Sequence, residues 1–386
     1  MKPRIAFVVQ RCGREVNGGA EALCLTVAQH MQEQWDVEIL TTCAIDYMTW
    51  QDHYPEGVQI VDSVPIRRFH VDRPRDVDKF NAYSQSLARK PGGASLAQAE
   101  EWMKLQGPMS SRLMEHLSDH TADFNAFIYF TYLYATTYYG LPLVQNKAYL
   151  VPAAHDEWPI YLPIWDSFMS RPKAFIFSTA EERAFLQKRF PHARLNGDIV
   201  GVGVNVPERY SRNNFIEKYG IQDPYILYIG RIDESKGCGT LIDYYLRYKR
   251  ETSNKVKLVL AGKTVMPVPK HRDIIEIGFV DDQTKFDALD GCSFLVNPSP
   301  YESLSMVLLE AWSLNKPVLV NAAAEVMVGQ CKRSDSGLWY ENYDEFRECV
   351  NYLLAHPELA HRGRAFVQEN YSWDVIIEKY AALTIA

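Results

Sequence analysis

The chain has 386 residues, 47% hydrophobic and 23% charged, which excludes a disordered, collagen-like or coiled-coil protein. Its 41 Lys and Arg against 48 Asp and Glu give a formal net charge of −7, which argues against general nucleic-acid binding. The longest apolar runs have the length of strands and fall short of the about 20 residues of a membrane span, and no signal peptide is expected.

The first half of the chain predicts strands alternating with helices. Strands are predicted at 5–10, 37–41, 126–130, 148–151, 174–178 and 199–202, with helical patterns after Gly19 and over 180–190. Between residues 65 and 108 the periodicity is poor, and we expect helices and loops at the rim of a sheet. Strand, glycine turn, helix and strand form a βαβ unit, so these elements indicate a parallel sheet.

A second series begins near residue 225. Strands are predicted at 225–229, 257–261, 274–277, 293–297 and 317–320, and helices over 239–250, 284–290, 305–314, 344–355 and 373–383. The boundary is expected between residues 204 and 225, where Pro207 and Gly220 interrupt the patterns. Ligands of open parallel sheets bind at the carboxyl ends of the strands, so functional motifs should follow strands.

The loop Gly230-Arg231-Ile232-Asp233-Glu234-Ser235-Lys236-Gly237 directly follows one of these strands and precedes a helix. Arg231 and Lys236, five positions apart, could hold a diphosphate, and glycines at both ends allow close approach of the backbone. Considered without the second motif, the same pattern is equally typical of a surface loop whose Arg and Lys side chains are solvated.

A second motif, from Glu302 through Ser303, Leu304 and Ser305 to Glu310, follows the exit of another strand. A helix that begins here offers free amide groups to an anion, and the two carboxylates could bind sugar hydroxyls. The alternative is that Ser303 or Ser305 caps the helix and the glutamates are ordinary solvated residues.

Together, Gly-Arg-x4-Lys-Gly and the later Pro-Ser-x2-Glu-x7-Glu resemble the retaining glycosyltransferases of family 4 (glycosyl transferases group 1), most strongly from about Val200 to Leu338. This resemblance implies the GT-B fold, in which two Rossmann-like, doubly wound parallel-sheet α/β domains face each other across a cleft. It implies an acceptor domain over 1–205 and a donor domain over 206–372, with a final helix at about 373–386 that packs back on the first.

The resemblance also implies roles for individual residues. Arg231 and Lys236 would hold the donor diphosphate, and Glu302 would bind the transferred sugar. The remaining donor-binding positions it implies are Gly18, Gly19, Gly230, Val280, Ser303, Leu304, Ser305 and Glu310. Of these, Glu310 would bind the ribose and the backbone near Val280 the nucleobase.

His155 follows a predicted strand and matches a histidine that lies near the reacting sugar in many relatives. A structural histidine is the alternative at this position. Ser303 stands where the family often has glycine, which leaves the identity of the sugar open.

We therefore expect a cytoplasmic, metal-independent retaining glycosyltransferase that uses a nucleoside-diphosphate sugar and no cofactor. The acceptor stays open, with cell-surface polysaccharides and glycoconjugates among the candidates. Seven scattered cysteines without a Cys-x-x-Cys pair indicate reduced thiols and no zinc site. A catalytically silent sugar-nucleotide-binding protein and a nucleotide-sugar epimerase are the alternatives.

A basic cluster contains Arg67, Arg68, Arg73 and Arg75, and neighbouring aspartates largely neutralise it. A solvated face is the favoured interpretation. A peripheral contact with the inner face of a membrane stays open, because such a cluster can also attract anionic lipid.

Overall fold

A computed structural model describes residues 2–16 and 18–384 of the chain. The chain divides into two compact units, Met1–Val202 with Ile376–Ala386 and Gly203–Val375. The final helix therefore begins in the second unit and belongs to the first from Ile376 onward.

The first unit contains an eight-stranded sheet in the order β3-β4-β2-β1-β5-β6-β7-β8, with every pairing parallel except the antiparallel β3–β4 edge. Its inner strands are buried on both faces, and for this reason they appear as continuous apolar runs in the sequence. The strands are β1 (Arg4–Val8), β2 (Asp36–Thr42), β3 (Gly57–Val61), β4 (Val64–Phe69), β5 (Ala126–Phe130), β6 (Ala148–Val151), β7 (Ala174–Phe177) and β8 (Gly197–Ile199).

Helices connect these strands. They are α1 (Gly19–Met31), α2 (Val77–Ala88), α3 (Leu96–Gln106), α4 (Ser111–Asp119), α5 (Ala135–Gly140), α6 (Ile164–Phe168) and α7 (Ala180–Arg189). Side chains of α3 and α4 join one face of the inner strands in a continuous core, in which Trp102 and Leu113 are fully buried.

The hairpin β3–β4 differs from the prediction of helices and loops after residue 65. Its turn is made by Asp62 and Ser63, both with positive φ (48° and 70°), a conformation typical of two-residue hairpin turns. Neither residue is glycine and β3 is only partly buried, so the sequence lacks the usual signals of a hairpin. The short strand predicted at 199–202 is present, but it lies earlier in the chain, as β8 at Gly197–Ile199.

The second unit contains a six-stranded, fully parallel sheet in the order β11-β10-β9-β12-β13-β14. Its strands are β9 (Tyr225–Ile229), β10 (Lys257–Ala261), β11 (Ile274–Gly278), β12 (Phe294–Asn297), β13 (Val318–Asn321) and β14 (Gly337–Tyr340). Its helices are α8 (Arg212–Tyr219), α9 (Cys238–Glu251), α10 (Asp282–Gly291), α11 (Met306–Ser313), α12 (Glu325–Ser334), α13 (Tyr343–Ala355), α14 (Gly363–Tyr371) and α15 (Trp373–Thr384), the last shared with the first unit.

Alternate residues of strands β9, β10, β12 and β13 enter two different cores. Tyr225 and Leu227 of β9 pack with α10 and α11, whereas Ile226 and Tyr228 pack with α9 and α13. Side chains on a strand alternate between the faces of a sheet, so helices cover both faces. The sheet is therefore doubly wound, and the two α/β units have the predicted fold class.

Candidate donor site

The carboxyl edge of the second sheet is built from loops that are joined by backbone hydrogen bonds. Gly230 N–H donates to Ala261 O (2.9 Å) and Gly262 N–H donates to Gly278 O (2.8 Å). Gly262 has φ +151°, and a Cβ there would lie 1.8 Å from Gly230 O, so only glycine allows these loops to approach so closely. The edge predicted to carry ligands is thus a continuous backbone surface.

The predicted diphosphate loop lies at this edge and ends at Gly237. This residue has φ +73°, and a Cβ on it would lie 2.3 Å from the carbonyl oxygen of Pro298. The loop after β9 is therefore held directly against the loop after β12. The strand order explains this contact, since β9 and β12 are neighbours in the sheet.

This contact brings Lys236 and Glu302 together, and Arg231 lies on the same loop as Lys236. Lys236 Nζ lies 2.9 Å from Glu302 Oε1, and Arg231 Nε lies 3.3 Å from Asp233 Oδ2. Glu302 is the more buried partner of its pair, while Arg231 is nearly half exposed. Arg231, Lys236 and Glu302 thus lie at one edge of the sheet. Asp233 positions Arg231, and Lys236 and Glu302 position each other.

The segment before α11 is fixed by asparagine side chains. Asn321 Nδ2 donates to Pro298 O (3.0 Å), and Asn297 Nδ2 donates to Ser305 Oγ (3.0 Å). Ser305 occupies the N-cap position of α11 but makes no side-chain capping hydrogen bond. The alternative is therefore confirmed in that Ser305 is the N-cap residue of α11, whereas its expectation of solvated glutamates is wrong for Glu310, which is buried. Ser303 and Leu304 are half-buried in the same segment.

Glu310 lies in the second turn of α11 and is 7% exposed. Its Oε1 is 2.6 Å from Lys285 Nζ on α10, while its buried Oε2 has no hydrogen-bond partner among the described residues. Burial raises the pKa of Glu310, and the Lys285 ammonium offsets part of that rise. A buried acceptor without a donor is costly, which makes Oε2 a natural acceptor for a ligand hydroxyl.

Val280 lies between β11 and α10 and packs against the core of the second unit. The next residue, Asp281, caps α10 by accepting a hydrogen bond from Thr284 N (2.7 Å). This cap fixes the start of the helix that carries Lys285. Sequence analysis missed Lys285, because its partner is 25 residues away and no local pattern connects them.

Gly18 and Gly19 belong to the first unit, apart from the other predicted donor-binding residues. Gly18 is extended (φ −176°) and Gly19 begins α1. Next to them, the side chains of Arg11 and Glu21 are nearly fully buried and form an ion pair of 2.6 Å. This pair is a second feature that sequence analysis missed, although Glu21 is only two residues after Gly19.

His155 also lies in the first unit, on the loop after β6, with Nε2 3.7 Å from Glu157 Oε2. Glu182 of α7 holds this loop in place through hydrogen bonds to the backbone. Its carboxylate accepts hydrogen bonds from the backbone N–H groups of Ala154 (2.7 Å) and Ser178 (2.6 Å), and the residue is 1% exposed. The backbone next to His155 is thus held by a buried carboxylate.

We expect the substitution Glu182→Gln to change the pH dependence of stability. Burial raises the pKa of Glu182 to about 7, so the folded protein binds this proton more tightly than the unfolded chain. Stability from this group is therefore complete at low pH and is lost as the pH rises toward 8, by up to about 3 kcal/mol. Glutamine has no proton to lose in this range. The free energy of unfolding of the wild type should therefore fall relative to that of the variant as the pH rises from about 5 to about 8.

Chemical denaturation of the wild type and the variant at several pH values measures this difference. Glu115→Gln, on the exposed side of α4, serves as the matched control. A constant difference between the wild type and Glu182→Gln would contradict the assigned titration.

The basic cluster in the first unit is only partly a solvated face. Arg68 is 1% exposed, and its guanidinium lies over the ring of Tyr54 at 4.3 Å. Arg75 packs against the rings of Trp50 and Phe80. The favoured interpretation is therefore wrong for Arg68, which lies in the interior of the unit, while Arg75 is half-buried against these rings. None of the helices in the described residues combines the length and apolar character needed to cross a membrane.

Comparison with known proteins shows similarity to sugar transferases. Residues 211–369 match the profile of the family described as Glycosyl transferases group 1. The chain is 28% identical over 185 residues to the uncharacterized glycosyltransferase MJ1607 of Methanocaldococcus jannaschii. This alignment covers 43% of this chain and 46% of that protein. The alignments cover less than two thirds of the length of each of the curated relatives.

Solved structures match nearly the whole chain at low sequence identity. Sucrose-phosphate synthase from Thermosynechococcus elongatus has a TM-score of 0.71 at 15% identity and covers 99% of this chain and 98% of its own. Anabaena HepE in complex with UDP-glucose has a TM-score of 0.69 at 12% identity, with 98% of both chains covered. The match to the glycosyl transferase group 1 profile thus lies within residues 211–369, and the solved structures show the GT-B fold over nearly the whole chain.

Proposed function

We propose that the protein is a retaining glycosyltransferase that transfers a sugar from a nucleoside-diphosphate sugar to an acceptor without a metal ion at the donor site. The observation that carries the proposal is the grouping of Arg231, Lys236, Glu302 and Glu310 on loops and a helix at the carboxyl edge of the second sheet. Ligands of open parallel sheets bind at this edge.

Arg231 and Lys236 act on the leaving group. When the bond between the sugar and the phosphate breaks, negative charge builds on the diphosphate and positive charge on the sugar ring. Two preorganised cations stabilise the diphosphate in the transition state, and they need no metal ion to do so. Lys236 is paired with Glu302, so binding of the donor exchanges this carboxylate partner of Lys236 for phosphate oxygens.

Glu302 and Glu310 act on the two sugars of the donor. Release of Lys236 to the phosphate frees Glu302 to accept hydrogen bonds from hydroxyls of the transferred sugar. Oε2 of Glu310, which has no hydrogen-bond partner among the described residues, accepts a hydrogen bond from a ribose hydroxyl, and this removes the cost of its burial. The backbone at Ser303, Leu304 and Ser305 contributes amide groups, and the backbone near Val280 holds the base.

The first unit is assigned to the acceptor, with His155 near the reacting sugar and Gly18 and Gly19 near the phosphates. Retention without an enzyme nucleophile fits attack from the face that the leaving phosphate occupies, with that phosphate taking the proton of the acceptor. A polysaccharide or glycoconjugate at the cell surface, reached from the cytoplasm with peripheral membrane contact, is one acceptor class in this proposal.

The first test is a thermal-shift screen with UDP, GDP, ADP and their common sugars, in EDTA and again with Mg²⁺. UDP-glucose is the first donor to try, since it is bound in the Anabaena structure of the same fold. A ligand at about 100 times its Kd stabilises a protein by about 2.7 kcal/mol. We expect the nucleotides of one base to raise the melting temperature, and to raise it equally in EDTA and in Mg²⁺.

A shift that appears only with Mg²⁺ would contradict donor binding without metal. No shift with any nucleotide would contradict the donor site. Binding without turnover across a panel of acceptors would favour a catalytically silent protein that binds sugar nucleotide. Conversion of the nucleotide sugar to an epimer would favour a nucleotide-sugar epimerase. Once turnover is found, the anomeric configuration of the product by NMR tests retention directly.

A further inference from the structure

Two chemically distinct metal-ligand side chains follow neighbouring strands at the carboxyl edge of the first sheet. Cys43 comes directly after β2 and His70 directly after β4, and these two strands pair in parallel. A hydrogen bond from Cys43 N–H to Phe69 O (2.9 Å) continues that pairing beyond the strand ends. The sulfur and the imidazole are therefore held side by side by the sheet itself.

The loop after Cys43 returns over this edge and brings a carboxylate to the pair. The N–H groups of His53 and Tyr54 both donate to the carbonyl oxygen of Cys43, at 2.8 and 2.9 Å. Asp52 forms an antiparallel bridge with Ala44, and its Oδ1 accepts a hydrogen bond from Val71 N–H (3.1 Å). The carboxylate is thus fixed by backbone contacts on both sides of the cluster.

The three side chains converge on one point. One ligand atom from each of Cys43, Asp52 and His70 lies within 4.8 Å of the others, and His70 Nδ1 is 2.7 Å from Asp52 Oδ2. The sulfur is buried, whereas the imidazole is about half exposed, so an ion could enter from the side of His70. Among the residues that the structure describes, this is the one such group of three or more ligands.

A fourth residue stands behind the imidazole. Glu56 Oε2 lies 3.5 Å from His70 Nε2 and also contacts the guanidinium of Arg112. Histidine ligands in metal sites usually donate their second ring N–H to a carboxylate, which fixes the tautomer and the ring orientation. This arrangement directs Nδ1 of His70 toward Cys43 and Asp52.

We propose that Cys43, Asp52 and His70 form a Zn²⁺ site in the first unit, with Glu56 as the carboxylate that orients His70. Sulfur, nitrogen and carboxylate oxygen are the ligand types that zinc accepts, and three protein ligands leave one position for water. A Cys43 thiolate and the Asp52 carboxylate balance the two charges of the ion. Since Arg112 pairs with Glu56, that carboxylate adds no uncompensated charge.

The three ligand atoms need shifts of about 1 Å or less to hold the ion, since they already lie within 4.8 Å of one another. From the bond lengths of zinc sites, tetrahedral ligand atoms stand about 3.3–3.8 Å apart. His70 Nδ1 and Asp52 Oδ2 must therefore separate by less than about 1 Å as a hydrogen bond is exchanged for two metal bonds. The bound ion would tie the ends of β2 and β4 to the returning loop. This site is independent of the proposed donor site in the second unit, and it departs from the sequence expectation of no zinc.

The test is a Co²⁺ titration of the full chain, reduced and first treated with a chelator that is then removed. We expect one equivalent to give intense visible bands of a four-coordinate ion and a near-ultraviolet sulfur-to-cobalt band, all displaced by one equivalent of Zn²⁺. Cys43→Ser should abolish the sulfur band, and His70→Ala should lower affinity. Glu56→Gln, outside the ligand set, should weaken binding about 10- to 100-fold.

Two control variants test whether the effect is specific, one in the first unit and one in the second. His120→Ala removes a histidine that has an equal 2.7 Å contact with Asp123 and is not in the cluster, and Cys349→Ser removes a thiol of the second unit. Both should bind cobalt as the wild type does. Absence of a sulfur band in the wild type, its survival in Cys43→Ser, or loss of it in either control would overturn the site. If Cys43→Ser does not fold, Glu56→Gln decides, and unchanged affinity in that variant overturns the proposal.

Discussion

Replacing Arg231 by alanine should lower kcat about 10²- to 10³-fold and leave the fold intact. The loss is the usual effect of removing one preorganised group that stabilises charge in a transition state. The fold should tolerate the change because Arg231 is nearly half exposed, and its contact with Asp233 is a surface ion pair worth at most about 1 kcal/mol. Initial rates at saturating donor, together with the melting temperature, measure both effects.

Arg272→Ala is the matched control for this variant. Arg272 also lies in the second unit, has an aspartate as its next residue, and is 3.7 Å from that carboxylate, but its side chain is 91% exposed and belongs to no predicted site. It should retain full activity. Wild-type turnover by Arg231→Ala would remove Arg231 from the leaving-group role, and equal losses in both variants would indicate a general charge effect.

Gly237→Ala should disrupt the predicted diphosphate loop more than any other single methyl addition in it. The new Cβ would overlap a backbone carbonyl at Pro298, which cannot move without shifting the segment before α11. A left-handed conformation for alanine adds about 1–2 kcal/mol, so a total destabilisation of about 3 kcal/mol or more is expected. The shifted loop should also weaken nucleotide binding, because Lys236 precedes the altered residue.

Gly220→Ala separates backbone strain from overlap in this experiment. Gly220 has a similar φ of +68°, but a Cβ there meets nothing within 4 Å. Its substitution should cost only the strain, about 1–2 kcal/mol, and leave the nucleotide-induced thermal shift unchanged. Equal destabilisation by the two variants, with equal nucleotide shifts, would contradict the close contact between the two loops.

Several elements could be predicted because burial leaves a local pattern. The strands at 126–130, 148–151, 225–229 and 257–261 have the predicted bounds, since strands covered on both faces must be continuously apolar. The hairpin of β3 and β4 was missed because its first strand is half exposed and its turn uses Asp62 and Ser63 in place of glycine. Short β14 also gave no recognised signal.

The candidate donor site was predicted as residue types on loops, and its roles stay predictions. The spacing of Arg231 and Lys236 and the two glutamates of the second motif could be found because each motif begins within a few residues of a strand end. The sequence offered no signal for Lys285, Asp233 or the buried pair of Arg11 and Glu21.

The sequence by itself therefore determined the two α/β units, the strand ends that carry motifs, and the chemical character of those motifs. Only the tertiary structure decided which side chains meet. Lys236 reaches Glu302, Lys285 reaches Glu310, and Cys43 meets His70 because of the order of strands in each sheet. Periodicity reports how each segment is buried, but strand order depends on the packing of all segments together, and no single segment encodes it.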